Sequence, residues 1–295
     1  MSVEKTFLTL ANRPRFGVFI MLFVFGVFTF LLCLLRGAHT FFYFNLDGHQ
    51  VTEIVPLEEP WVVLVTVSAG FDDMFRNWLY WYQKLNLKMK VFVFAEDKFT
   101  FDKYRGVQGM SVWFNASDIG NASAHDWKSR DYKILVSRRP NYLLQLLKLY
   151  PNVIYTDIDT VWLKDPRPYF RGDFDFWAQL DGRDICTGFM AFKKSKDTIK
   201  ILTLWKERLR SGDNVNQQIF NIIMQRKIVK YTTLPTVEFP SGMTFQWKSK
   251  KSVNRQHVVV VHNNFIVGKQ SKINRFIKCE LWKPLQSNFS APHSP

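Results

Sequence analysis

Cysteine is scarce. Three occur in 295 residues, at Cys33, Cys186 and Cys279. There is no Cys-x-x-Cys and no zinc-type spacing, which excludes a structural zinc site and a disulfide framework. Cys33 falls in an apolar segment, leaving Cys186 and Cys279 either as one disulfide or as two thiols. No internal repeat and no low-complexity tract is present. The formal net charge is +15, yet the basic residues are scattered, with no Lys/Arg block and no nucleic-acid-binding motif. The excess therefore points to a small anionic ligand or an anionic membrane and away from nucleic acid; a solvated basic surface is the plain alternative.

Phe16 to Leu35 contains no charged residue and is dense in Phe, Leu, Val and Ile. About 20 such residues span the hydrocarbon core as a helix. The run is apolar on every face, unlike a core helix, and too long, with no small-residue cleavage site, for a cleaved signal peptide. Lys5, Arg13 and Arg15 precede it, whereas Asp47, Glu53, Glu58 and Glu59 follow Arg36 before any further basic residue. The positive-inside rule puts the N-terminus in the cytoplasm. The expected order is a cytoplasmic tail (1–15), a signal anchor (16–35), a short stem (36–60), a lumenal domain (61–283) and a loose tail (284–295), as in a single-pass type II membrane protein. Sequons at Asn115, Asn121 and Asn288 are expected glycosylation sites and agree with a lumenal placement.

The domain begins with Val62–Val67, a continuous β-branched run typical of a strand buried on both faces. A helix follows over Phe71–Leu85, with strands at Met89–Ala95 and Ser111–Phe114. The stretch Tyr132–Tyr150 reads as helix broken or kinked at Pro140. The central strand is Val153–Ile154–Tyr155. Strand and helix alternating in this way predict an α/β fold with a mainly parallel central sheet. Further on, Phe174–Gln179 and Ile185–Phe192 read as strands, with Gly182 and Gly188 marking turns or close backbone approach. Asp197–Arg210 and Asn214–Arg226 read as helices, and Val258–Val261 as the last strand.

The chemistry concentrates after the central strand, where Asp157 and Asp159 stand two apart. Two acids at the end of a buried strand need a cation, a ligand or solvent. A divalent metal is one solution and a pair of solvated turn residues the other. Ligands of open α/β sheets bind beyond the carboxyl ends of strands, and three polar groups occupy such ends here: Thr66 with Ser68, Asp157 with Asp159, and His262. Two carboxylates and an imidazole suit Mn²⁺ or Mg²⁺, the imidazole favouring Mn²⁺.

The run Val-Ile-Tyr-Thr-Asp-Ile-Asp-Thr-Val-Trp-Leu-Lys-Asp-Pro166 resembles the signature of nucleotide-diphospho-sugar transferases of glycosyltransferase family 77. Cys186–Met190, Asn216–Asn221 and His262–Asn264 carry the likeness further, over roughly Trp61 to Trp282. The resemblance implies a GT-A fold, a UDP-sugar donor (UDP-galactose or UDP-xylose), a glycan or glycoprotein acceptor, a divalent metal and retention of configuration. It makes Asp157, Asp159 and His262 the metal ligands, with Asp157 shared between metal and donor. Thr66 and Ser68 would touch the nucleoside, and Arg138 and Arg139 would contact the donor, unless they are simply a solvated helix start. Gln217 would lie near the anomeric carbon. Asp181 and Asp184, in the loop before Cys186, are candidates to orient the acceptor or stabilise charge, with simply solvated loop acids as the alternative. One departure stands out: Asn216 occupies a position where relatives often have Asp, and an amide cannot serve as nucleophile or base. That leaves a catalytically silent lectin or assembly factor as the alternative.

Overall fold

The computed structural model describes residues 40–44, 50–54, 61–114, 130–209, 215–247 and 255–286. The expected anchor Phe16–Leu35 and the sequons at Asn115, Asn121 and Asn288 lie outside the described residues. Among the described residues, no helix is long and apolar enough to cross a membrane.

The chain divides into two compact units, Met1–Glu59 and Pro60–Pro295. In the first, β1 (Thr40–Phe44) and β2 (Gln50–Ile54) pair antiparallel, with Thr40 opposite Ile54. The second contains a seven-stranded sheet. Strand β3 (Trp61–Val67) lies beside its central strand and is flanked by β4 (Lys90–Ala95) and then β5 (Met110–Phe114), all parallel. On the other side β3 pairs in parallel with β6 (Asn152–Thr156). Apolar residues of β3 alternate between the two faces: Val62 and Leu64 join one core, Val63, Val65 and Val67 the other. The unbroken β-branched run therefore reflects burial from both sides, as expected of a parallel sheet.

Helix α1 (Asp72–Lys84) starts with Asp72 and Asp73 and ends with Lys84, the arrangement that complements the helix dipole. Its Met74, Phe75, Trp78, Leu79 and Tyr82 are buried. α2 (Lys98–Tyr104), which shows no apolar periodicity in the sequence, is capped by Asp97, whose side chain accepts from Thr100 N at 2.8 Å. The expected break at Pro140 is present: α3 (Arg130–Ser137) stops and α4 (Arg139–Leu149) begins with the proline in its first turn, where a missing N–H costs nothing.

After β6 the topology departs from simple alternation. The turn at Asp157–Asp159 leads into β7 (Thr160–Trp162), which leaves the main sheet. The sheet resumes with β8 (Phe176–Asp181) and β9 (Asp184–Lys193), where β9 is antiparallel to both β6 and β8. Helices α5 (Lys196–Leu209) and α6 (Asn216–Met224) follow. The edge strand β10 (Tyr231–Thr233) then pairs with β8.

The last strand, β11 (Val260–His262), does not join the main sheet, contrary to what the alternating pattern implied. It pairs antiparallel with β7, placing His262 opposite Thr160. Helix α7 (Lys269–Lys278) packs Ile273 and Phe276 onto this ribbon with Val161, Val258, Val261 and Cys279. Burying each such side chain contributes about 1.5–3 kcal/mol. Cys186 and Cys279 are both buried and not joined in a disulfide, so of the two expectations the pair of thiols is the one present.

Candidate active site

The end of β6 delivers two acids in a turn closed from both sides. Asp157 N donates to Gly188 O at 2.7 Å, and Thr160 Oγ1 donates to Asp157 O at 2.8 Å. Asp157 Oδ1 accepts from the Tyr155 hydroxyl at 2.7 Å and from Arg139 Nη2 at 2.8 Å, leaving Oδ2 turned toward His262. Burial first, and then the charge of Asp157, push the Tyr155 phenol well above its ordinary range, so it keeps its proton and donates it in the hydrogen bond to Asp157.

Asp159 is 7% exposed. Its Oδ1 lies 3.2 Å from His262 Nε2, and its Oδ2 pairs with Lys272. Burial works against its charge, but Lys272 and His262 outweigh it and hold the carboxyl below the usual carboxylate range. His262 is itself 3% exposed; burial disfavours its cation, yet Asp159 keeps its proton affinity well above the ordinary 6.5. A buried imidazole thus holds a proton where two carboxylates converge, as expected of a cluster that wants a positive charge.

Ligand atoms of Asp157, Asp159 and His262 all lie within 4.8 Å of one another. This donor set, hard oxygens with one nitrogen, fits Mn²⁺ or Mg²⁺. Space is reserved as well: a Cβ on Gly188 would stand 2.3 Å from His262 Cε1 and 2.5 Å from Asp157 Oδ2. Close approach, one of the two expectations for Gly188, is the reason for this glycine. The approach is made by an irregularity in which Gln179 alone faces Cys186–Phe189 between the Ala178↔Met190 and Leu180↔Ile185 pairs. The longer segment bulges and carries Gly188 against the acids.

The other expected residues fall in three places. Thr66 Oγ1 is 3.4 Å from the Tyr155 hydroxyl, and Ser68 is buried at the next turn, so both flank the acids on the neighbouring parallel strand. Arg139 lies beneath the cluster, 6% exposed, over the Tyr155 ring at 4.3 Å. It donates to Thr187 O and Oγ1 as well as to Asp157. It is therefore not the solvated helix start that was the alternative; its neighbour Arg138 pairs with buried Glu96 at 2.7 Å.

Gln217 Nε2 donates to Asp181 Oδ2 at 2.9 Å, and Asn264 Nδ2 donates to Asp181 Oδ1 at 3.0 Å. Asp181 is thus a fixed acid, while Asp184 sits exposed at the hairpin end, apart from this network. Asn216 is buried: its Nδ2 donates to Val136 O at 2.5 Å and its Oδ1 accepts from Thr187 Oγ1 at 3.1 Å. An aspartate could not make the first bond, so the amide has a packing reason of its own.

Sequence reasoning missed Tyr155 as a partner of the acids, Lys272, Gln179, Asn264 and the Glu96–Asp97 pair at the end of β4. Lys272 lies in an amphipathic helix whose basic residues look like an ordinary solvated face. Asn264 was visible as part of a motif, without a role.

The nucleotide-diphospho-sugar transferase profile matches residues 86–276, 191 of the 295. The chain belongs to that family. Its affinity to the family-77 type is carried by curated relatives. A UDP-D-xylose:L-fucose α-1,3-D-xylosyltransferase of Arabidopsis thaliana is 31% identical over 252 residues, covering 75% of this chain and 66% of the relative. A UDP-galactose:fucoside α-3-galactosyltransferase of Dictyostelium discoideum is 24% identical, covering 75% of this chain and 42% of the relative. The chain thus spans about two thirds of the plant enzyme and less than half of the protist one. Among solved structures, the apo glycosyltransferase GlyE of Streptococcus pneumoniae aligns over 76% of this chain and 60% of its own, with TM-score 0.50 at 12% identity. This likeness, with the mostly parallel sheet, gives the GT-A-type fold that the sequence implied.

Proposed function

We propose that this nucleotide-diphospho-sugar transferase moves a sugar from a UDP donor, UDP-xylose or UDP-galactose, to a hydroxyl of a fucose-containing glycan, with retention of configuration. The observation that carries the reading is the convergence of Asp157, Asp159 and His262 at the carboxyl end of β6, in a chain of this family. The donors and fucosyl acceptors named for the relatives supply the substrate class.

A divalent cation bound by these three residues supplies the charge that a departing diphosphate needs. The chain's own groups do the rest. Tyr155 and Arg139 fix Asp157, and through it the donor side of the cluster. Thr66 and Ser68 face the nucleoside, beside Glu96 and Asp97, because β3 and β4 end in register there. Lys272, already seated on Asp159, adds a second positive group at the cluster that would receive the diphosphate. On the acceptor side, Gln217 and Asn264 fix the orientation of Asp181 so that it can accept a hydrogen bond from a sugar hydroxyl. The hydroxyl attacks from the face the diphosphate leaves, and the departing phosphate oxygen takes its proton. Asn216 serves packing in this scheme, which removes the main support for a silent lectin. Asp184, exposed and directly opposite Asp181 in the β8–β9 register, is the second candidate acid toward the acceptor.

With the sequence-level expectation of an anchor at Phe16–Leu35, the reaction takes place in the Golgi lumen. A donor screen decides the chemistry: UDP-sugar turnover is expected with Mn²⁺ and lost in Asp159→Asn. Absence of turnover with every UDP-sugar, unchanged by that substitution, would sink the proposal. Protease protection of a C-terminal tag in sealed microsomes tests the topology; complete digestion from the outside refutes it.

A further inference from the structure

Gln179 is fully buried at the one position of β8 left without a partner opposite the β9 bulge. Its side-chain orientation is fixed by chemistry. Nε2 donates to Phe239 O at 3.0 Å and to Pro240 O at 2.9 Å, using both amide hydrogens. The flipped amide would set Oε1 against two carbonyl oxygens, so the assignment is unambiguous. Oε1 is consequently an acceptor, and it lies 3.0 Å from His262 Nδ1. Only the Nδ1–H form of the imidazole can make that bond. The Cys186 sulfur, 3.5 Å from the same nitrogen, is a more distant and weaker partner.

We infer that Gln179 is the positioning residue that reserves His262 Nε2 for the metal, by holding the ring proton on Nδ1. The inference rests on the reading of Asp157, Asp159 and His262 as a metal site. A histidine ligand must present one bare nitrogen, and its other N–H must be spoken for, or ring orientation and basicity are lost. Here Nε2 is the nitrogen facing Asp157 and Asp159, at 3.9 and 3.2 Å. The carbonyls that hold Gln179 belong to the segment that also anchors the histidine backbone, since His262 N donates to Pro240 O at 3.1 Å. Ring and acceptor therefore move as one body.

Two substitutions separate this role from a structural one. Gln179→Met removes the acceptor and both donated bonds; Gln179→Glu keeps an acceptor and loses the donated bonds. Both are expected to lower Tm. Mn²⁺ affinity of the full-length protein, read by electron paramagnetic resonance without any sugar substrate, is expected to fall about 10–100-fold in Gln179→Met and to stay near wild type in Gln179→Glu. Equal weakening in both, or none in Gln179→Met, overturns the assignment. If neither variant folds, ¹⁵N NMR of the Mg²⁺-loaded wild type reads the ring directly: a protonated Nδ1 is expected, and a bare Nδ1 overturns the assignment. A wild-type protein that binds no divalent ion refutes the metal site itself, which is a different failure from wild-type binding with an indifferent Gln179.

Discussion

Gly188→Ala is the smallest change aimed at the cluster. The added methyl has no room: it would stand 2.3 Å from His262 Cε1 and 2.5 Å from Asp157 Oδ2, distances that real Cβ atoms do not show. Neither neighbour is a free side-chain end. His262 is gripped by Gln179 at 3.0 Å, and Asp157 by Tyr155 and Arg139 at 2.7 and 2.8 Å. Nor can the backbone retreat, since Gly188 O accepts from Asp157 N at 2.7 Å. Relief requires displacing a ligand by several tenths of an ångström. Overpacking of this kind costs about 1–3 kcal/mol, and each kcal/mol lowers Tm by about 2–4 °C in a domain of this size. The displacement falls on two of the three proposed metal ligands, so Mn²⁺ affinity is expected to drop by at least about tenfold, the order seen when ligand support is lost. Isothermal titration of the metal and a thermal melt measure both quantities on one preparation. A variant that binds Mn²⁺ like wild type while losing Tm would refute the reasoning, because the strain would then have gone elsewhere than into the cluster.

In Asn216→Asp, the donated bond to Val136 O is replaced by a buried acid facing a carbonyl. A loss of about 1–3 kcal/mol is expected, seen as a lower Tm with no gain in turnover; higher activity would revive the view that Asn216 silences the site. Asp181→Ala is expected to raise acceptor KM while leaving donor hydrolysis intact; equal loss of both would place Asp181 on the donor side. The metal-free and metal-bound proteins should also show opposite pH slopes. His262 has a raised proton affinity, so its contribution to folding is complete below about 6.5 and is lost as pH rises through its folded value. Over that same window metal binding tightens, because the proton on Nε2 must leave. Thermal melts and Mn²⁺ titrations across pH 6–9 check this, with His262→Asn expected to flatten the melting series; parallel slopes would count against a shared proton.

The parallel part of the fold was legible because it obeys local rules. The β-branched run Val62–Val67 can be satisfied only by burial on both faces, and Pro140 can begin a helix but not continue one. The acids were legible for the same reason, as charges following a buried strand. What escaped depends on partners far away in the chain. Val258–Val261 has the composition of a sheet strand, yet nothing local reveals that it pairs with β7 in a separate ribbon. Gln179 reads as one polar residue in a strand, and its meaning comes from carbonyls 60 and 61 residues further on. Asp181 and Asp184 look alike as loop acids; Gln217 and Asn264 single out the first.

The β7–β11 ribbon sets a time order on the site. Asp159 and His262 are neighbours in space but 103 residues apart in the chain (262 − 159). At about 5–20 residues per second of synthesis, about 5–20 s separate the emergence of the two acids from that of their histidine. Through that interval the parallel strands β3 to β6 already have their sequence complete, while Asp157 and Asp159 lack the imidazole and Lys272 that balance them. On the proposed metal site, capture of a cation by all three ligands would therefore come late, once the C-terminal ribbon has docked.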